Sequence, residues 1–128
     1  YIVAKVNDDN VWSAIKSGQF KGISIEALFT IKELEAKNNV AANIDVEKEI
    51  MVIGMDLHAD GEAFLIENGS SQKNLWGVNL YPEVEGDDWI EFDSMINIKP
   101  AQNNRSRGVE DPEVQKKIIE IVNKLVKR

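Results

Sequence analysis

The sequence predicts an α+β protein: a mostly antiparallel sheet of about four strands over residues 40–99 with two helices on one face, preceded by a strand–helix–strand unit. Three observations carry that expectation. Residues 89–98 alternate along their length, as a half-buried strand does. Residues 112–125 place Val114, Ile118, Ile121, Val122 and Leu125 on one helical stripe. Between these elements strands and helices do not alternate regularly, which disfavours a doubly wound parallel sheet.

Residues 2–6 are apolar and β-branched and read as a strand. Asn7, Asp8 and Asp9 offer N-caps for a helix whose face holds Val11, Trp12 and Ile15 and which stops at Gly18. Residues 22–29 alternate as a second strand, and Thr30 with Glu33 has capping-box spacing for a short helix ending near Asn38 and Asn39. Residues 40–46 and 49–54 read as strands around Glu47 and Lys48. Residues 57–67 read as a helix stopped by Asn68-Gly69, and residues 74–81 as a strand ended by Pro82. A loop over 82–88 leads into the long strand at 89–98, and residues 100–108 form a polar loop. Asp111 as cap and Pro112 in the first turn open the last helix, and Lys124, Lys127 and Arg128 complement its dipole.

Composition narrows the functional classes. The chain has 128 residues and a formal net charge of −7, so a nucleic-acid partner is not expected, because phosphate binding needs a positive surface. It has no cysteine, which excludes disulfides, thiolate metal sites and a cysteine nucleophile. No apolar run approaches about 18 residues, so no membrane span is expected. With no secretion signal at its start, the expected location is the cytoplasm. No Gly-rich phosphate loop appears and no cofactor is implied. An exposed strand of the N-terminal unit is the candidate edge for self-association.

Three groups of residues could carry chemistry. Lys99, Gln102, Asn104, Arg105, Ser106 and Arg107 concentrate hydrogen-bond donors after a strand and before a capped helix, a composition suited to a phosphate or carboxylate. Asp93 shares a strand face near them, with Asn79 across from it. The bland alternative is an ordered loop whose amides satisfy their own backbone. Glu83, Glu85, Asp87, Asp88, Glu91 and Asp93 form an acidic run that could hold calcium, with Glu85, Asp87 and Asp88 at its centre; a solvated loop is the ordinary meaning. Asp56, His58 and Asp60 have a spacing compatible with zinc, and equally with a helix start capped by aspartates.

Two resemblances add to these readings. Val3-Ala4-Lys5-Val6-Asn7-Asp8-Asp9, Val11-Trp12, Lys16-Ser17-Gly18 and Lys21-Gly22-Ile23-Ser24-Ile25-Glu26 resemble the C-terminal part of phage prohead (capsid-maturation) serine proteases. In that family the serine of Gly-x-Ser-Ile is the nucleophile, so the resemblance implies Ser24 in that role. The family's histidine precedes its serine, whereas the one histidine here, His58, follows Ser24, so the catalytic set is incomplete. Asp45 to Met51, Leu57-His58-Ala59-Asp60, Leu75-Trp76-Gly77-Val78-Asn79-Leu80-Tyr81-Pro82 and the stretch from Trp89 to Ser106 are similar to a family of small prokaryotic proteins of unknown function. Two resemblances meeting near residue 37 imply a chimera or recombined phage gene, divided into residues 1–36 and 37–128. The expected role is a non-enzymatic binding or interaction domain that recognises an anion through residues 99–107. The alternatives are a serine peptidase fragment using Ser24 and a calcium-binding protein using the 83–93 loop.

Overall fold

The computed structural model describes Ile2–Lys5, Phe29–Thr30 and residues 39–127, with side chains over residues 39–126. The expected helix over 11–18, most of the strand over 22–29, the short helix after Thr30 and Ser24 lie outside the described residues.

Seven strands are described. Five of them, β1 (Ile2–Lys5), β3 (Val40–Asp45), β4 (Ile50–Ile53), β5 (Leu75–Leu80) and β6 (Ile90–Glu91), form one sheet in the order β1-β4-β3-β5-β6. Every pairing in it is antiparallel. The N-terminal strand extends the sheet from its edge, registering Ile2 against Ile53. The other two, β2 (Phe29–Thr30) and β7 (Val126–Lys127), pair in parallel as a separate ribbon. The helices are α1 (His58–Glu67) and α2 (Pro112–Leu125). The α+β class therefore stands.

The helices lie on opposite faces of the sheet, not together as expected. Ala42, Ile44, Met51, Ile53, Trp76, Val78 and Leu80 point to one side and pack with Ile118, Ile121, Val122 and Leu125 of α2. Val52 and Leu75 point to the other and pack with Leu65 of α1. All four residues of β4 are apolar, and a strand without polar alternation must bury both faces.

α2 forms as its sequence dictates. Asp111 accepts the Glu113 N–H at 2.9 Å, Pro112 opens the first turn, and four of the five stripe residues are buried. Burial of each such aliphatic side chain is worth about 1.5–3 kcal/mol. The helix stops at Leu125, however, and Lys127 lies in β7 rather than at the helical C-terminus. α1 starts at Leu57 without a side-chain cap, so neither Asp56 nor Asp60 caps it. It ends as expected at Asn68-Gly69, where Gly69 takes φ +101° and donates to Ile66 while Ser70 donates to Leu65. The β3–β4 turn is tied by Asp45, whose buried carboxylate accepts the N–H groups of Glu47 and Lys48 at 2.9 Å and the Ser70 hydroxyl at 2.6 Å.

The long strand expected at 89–98 is shortened to Ile90–Glu91. Beyond it, Ser94 accepts the Ile96 N–H and opens a 3-10 turn over Met95–Asn97. Met95 is exposed, while Ser94 and Asn97 are buried, which breaks the alternation. The cause is that serine and asparagine offer the backbone local partners in place of a ladder.

Two glycines let the layers meet. A methyl group on Gly61 would overlap the Asn43 carboxamide, and one on Gly77 would sit 2.7 Å from the Ser94 hydroxyl and 3.0 Å from the His58 ring. Gly61→Ala should therefore destabilise the fold by about 1–3 kcal/mol through overpacking, although alanine is the better helix former by about 1 kcal/mol. Thermal or urea unfolding measures this, and a Gly61→Ala variant of equal or higher stability would contradict the packing described.

Candidate functional site

The segment after β6 is held by buried carboxamides. Asn97 faces the open edge of β5, accepting the Gly77 N–H at 2.8 Å and donating to the Gly77 carbonyl at 2.9 Å. Its side chain thus replaces a strand. It also donates to the Arg107 carbonyl at 2.8 Å. Asn104 donates to the carbonyls of Asn97 and Gly108, both at 2.7 Å, and accepts the Glu110 N–H at 2.7 Å. Lys99 and Asn104 pair through their backbones, closing a tight turn in which Asn103 adopts φ 60°.

Just beyond this turn, the N–H groups of Arg105 and Ser106 and the Ser106 hydroxyl converge on one oxygen, Glu110 Oε2, at 2.7, 3.0 and 3.2 Å. The donor cradle expected to take an external anion is thus occupied by the chain's own carboxylate. The backbone bonds from Ser106 and Arg105 hold the Glu110 carboxyl below its ordinary value. Between the 99–104 turn and the start of α2 lies a cleft of about 360 Å³ lined by Trp76, Gln102, Asn103, Glu110, Asp111 and Val114, with Asn104 at its base.

The residues singled out from the sequence divide into separate groups. Gln102 lines the cleft and donates to the Lys73 carbonyl at 3.0 Å. Asn104 is buried and committed to the loop's backbone. Arg105 and Ser106 hold Glu110. Arg107 pairs with Asp93 at 2.6 Å, and Asn79 donates to the Asp93 carbonyl and the Glu91 carboxylate at 3.1 Å. These last three sit apart from the cleft, since Asn79 is on the face of β5 opposite Trp76. Lys99 is buried, with its ammonium 3.0 Å from the Ile96 carbonyl and 5.2 Å from the centre of the Trp76 ring. Burial lowers its pKa, and the Glu62 charge opposes that shift.

Glu85, Asp87 and Asp88 are exposed on the 82–89 loop, where Asn123 reaches Asp87 at 3.4 Å. His58 is at the start of α1 with its Nε2 2.8 Å from the Val78 carbonyl. Among the described residues, no three His, Asp or Glu side chains gather where they could hold a metal ion. Ser24 lies outside the described residues.

Glu62 carries no mark in the sequence. It is half-buried on α1, and one of its carboxylate oxygens, Oε2, is buried without a hydrogen-bond partner. A single glutamate on a helix reads as a solvated side chain, and no sequence signal distinguishes this one.

The family described as "Protein of unknown function (DUF5674)" matches residues 15–125. The chain belongs to this family. The match begins inside the segment whose residues resemble prohead proteases and crosses residue 37 without a break, so neither the protease resemblance nor a chimeric junction finds support in it. β1, which precedes the matched residues, pairs with β4 inside them. No curated protein and no solved structure matches the chain. No helix among the described residues is long and apolar enough to cross a membrane.

Two outcomes test this description. Asn97→Ala should cost about 2–5 kcal/mol, because it strips partners from the buried N–H and carbonyl of Gly77 and from the Arg107 carbonyl. A loss below about 1 kcal/mol in urea unfolding would show the edge to be satisfied another way. The Arg105 and Ser106 amide resonances should titrate together with a midpoint below the ordinary glutamate value. Because the folded pKa is depressed, Glu110's contribution is present above its unfolded pKa and is lost as pH falls through the folded one. Glu110→Gln should abolish that titration.

Proposed function

We propose that this chain is a non-enzymatic binding domain that receives a small ligand rich in hydrogen-bond donors in the cleft between the 99–104 turn and α2. The observation that carries the reading is the balance of groups on the cleft wall. Glu110 keeps Oε1 unspent, and Asp111 keeps Oδ2, since only Oε2 and Oδ1 accept bonds. Gln102 spends its amide nitrogen on Lys73 and leaves its carbonyl oxygen. The wall is therefore rich in acceptors and carries two carboxylates, with Trp76 and Val114 as its apolar part. Such a lining favours an amine or a polyhydroxyl compound. A phosphate or carboxylate would have to displace Glu110 from the 105–106 cradle and would meet Asp111 beside it.

Titration of the ¹⁵N-labelled protein with ethanolamine, glycerol and inorganic phosphate tests the proposal. Ethanolamine should give saturable shifts at Gln102, Asn103 and Val114. Asp111→Asn, which retains a capping oxygen, should weaken that binding about tenfold, the worth of one charge-assisted hydrogen bond. Saturation by phosphate alone, with shifts at Arg105 and Ser106, would overturn the proposal in favour of anion recognition.

A further inference from the structure

The cleft between the 99–104 turn and α2 is unevenly supplied with hydrogen-bond donors and acceptors, and the imbalance narrows what it can hold. Its donors are largely committed. The Gln102 amide nitrogen bonds to the Lys73 carbonyl, and the Asn104 nitrogen to the carbonyls of Asn97, Ser106 and Gly108. Among the lining side chains only Asn103 and the Trp76 indole keep a donor. Oxygens are in surplus. Among the described residues nothing donates to Glu110 Oε1, Asp111 Oδ2 or the Gln102 side-chain carbonyl, and the first two are charged. A polyhydroxyl compound brings an acceptor with every donor, so most of its oxygens would go unmatched here, and each unmatched polar atom weakens binding. A primary ammonium brings three donors and no acceptor.

Charge points the same way. The two carboxylates outweigh the roughly half a positive charge at the N-terminus of α2, an end that Asp111 already caps. Lys99, whose ammonium lies 5.2 Å from the centre of the Trp76 ring, is not among the residues that line the cleft. Trp76 and Val114 form an apolar wall suited to methylenes.

We propose that the cleft recognises a primary alkylammonium group, whose nitrogen donates to Glu110 Oε1, Asp111 Oδ2 and the Gln102 carbonyl while its alkyl stem covers Trp76 and Val114. The inference rests on the reading of the cleft as a site for donor-rich ligands and selects one class within it. The Arg105 and Ser106 amides hold Glu110 by Oε2 and so leave Oε1 to the ligand. Methylation of the ligand's nitrogen removes the donors that the wall demands, so the site tells a primary amine from a quaternary one.

The test is a titration of the ¹⁵N-labelled protein with butylammonium, followed at Gln102, Asn103 and Val114, with ethanolamine, glycerol and butyltrimethylammonium as comparison probes. Butylammonium should saturate with a dissociation constant of about millimolar size, as expected for so few atoms. It should bind about tenfold more tightly than ethanolamine, since each buried methylene is worth about fourfold. Butyltrimethylammonium keeps the charge and the stem but has no N–H, and it should bind at least about tenfold more weakly than butylammonium. Nα-acetyllysine methylamide carries the same stem and nitrogen on a peptide unit. Tighter binding than butylammonium assigns the group to a lysine side chain, weaker binding assigns it to a free amine, and both uphold the ammonium. Equal binding of butyltrimethylammonium would reduce the recognition to charge alone and overturn the proposal. Butylammonium no tighter than glycerol would overturn it too. Saturation by glycerol would in that case keep the cleft as a ligand site, whereas saturation by none of these probes would remove both readings.

Discussion

Asn97 closes the edge of β5 that the chain abandons after Glu91, and the whole segment from Phe92 to Glu110 hangs on that pairing. A backbone N–H and a carbonyl in the middle of a buried strand need partners, and each left bare costs about 1–3 kcal/mol. One side chain meets both demands at Gly77 and holds the Arg107 carbonyl as well. The ion pair between Arg107 and Asp93 crosses the same region, but both side chains are about half exposed, and a pair of that kind is worth about 0–1 kcal/mol. The carboxamides therefore set the loop, and the ion pair adjusts it. Asn104 continues the arrangement by tying Asn97 to Gly108 and Glu110, so the cleft wall is fixed from within the protein.

The two faces of the sheet divide the work of folding. Against α2 the contacts are aliphatic, and they supply most of the burial. Against α1 the apolar cluster is small, while Asn43, Asp45, Ser70, Ser94 and Asn97 are all buried among hydrogen bonds. Polar groups out of water tolerate few arrangements, because any shift leaves one unmet. Gly61 and Gly77 permit the close approach that such bonds require. The α1 face thus contributes less hydrophobic energy and more geometric definition.

Much of this is legible in the residues. The stripe on α2, its Asp111 cap and the Asn68-Gly69 stop are local features whose physics does not depend on the rest of the fold. The hairpin around Glu47 and Lys48 is of the same kind. The placement of α1 departs from expectation, although four consecutive apolar residues in β4 already demand cover on both sides. The strand over 89–98 fails because alternation counts polarity alone. Ser94 and Asn97 fit a polar–apolar rhythm, but their side chains bond to backbone and end the ladder. At the candidate site the sequence marks the donors but not the carboxylate that meets them. Donors concentrate at 99–107, yet Glu110, outside that window, consumes the strongest cradle among them.

Lys99 shows most clearly what a buried charged group costs this fold. Burial lowers its folded pKa below that of the unfolded chain, so between the two values the folded protein binds fewer protons and stability rises with pH. At pH values below the folded pKa the charged lysine therefore works against the fold, and Glu62 only partly offsets this. A methionine would cover Trp76 with no such penalty, since replacing buried charge by well-packed apolar atoms is often neutral or stabilising. Glu62 bears a matching cost through its unpartnered oxygen. Each of these two charged groups weakens the fold on its own account, and the packing that surrounds them offsets the cost.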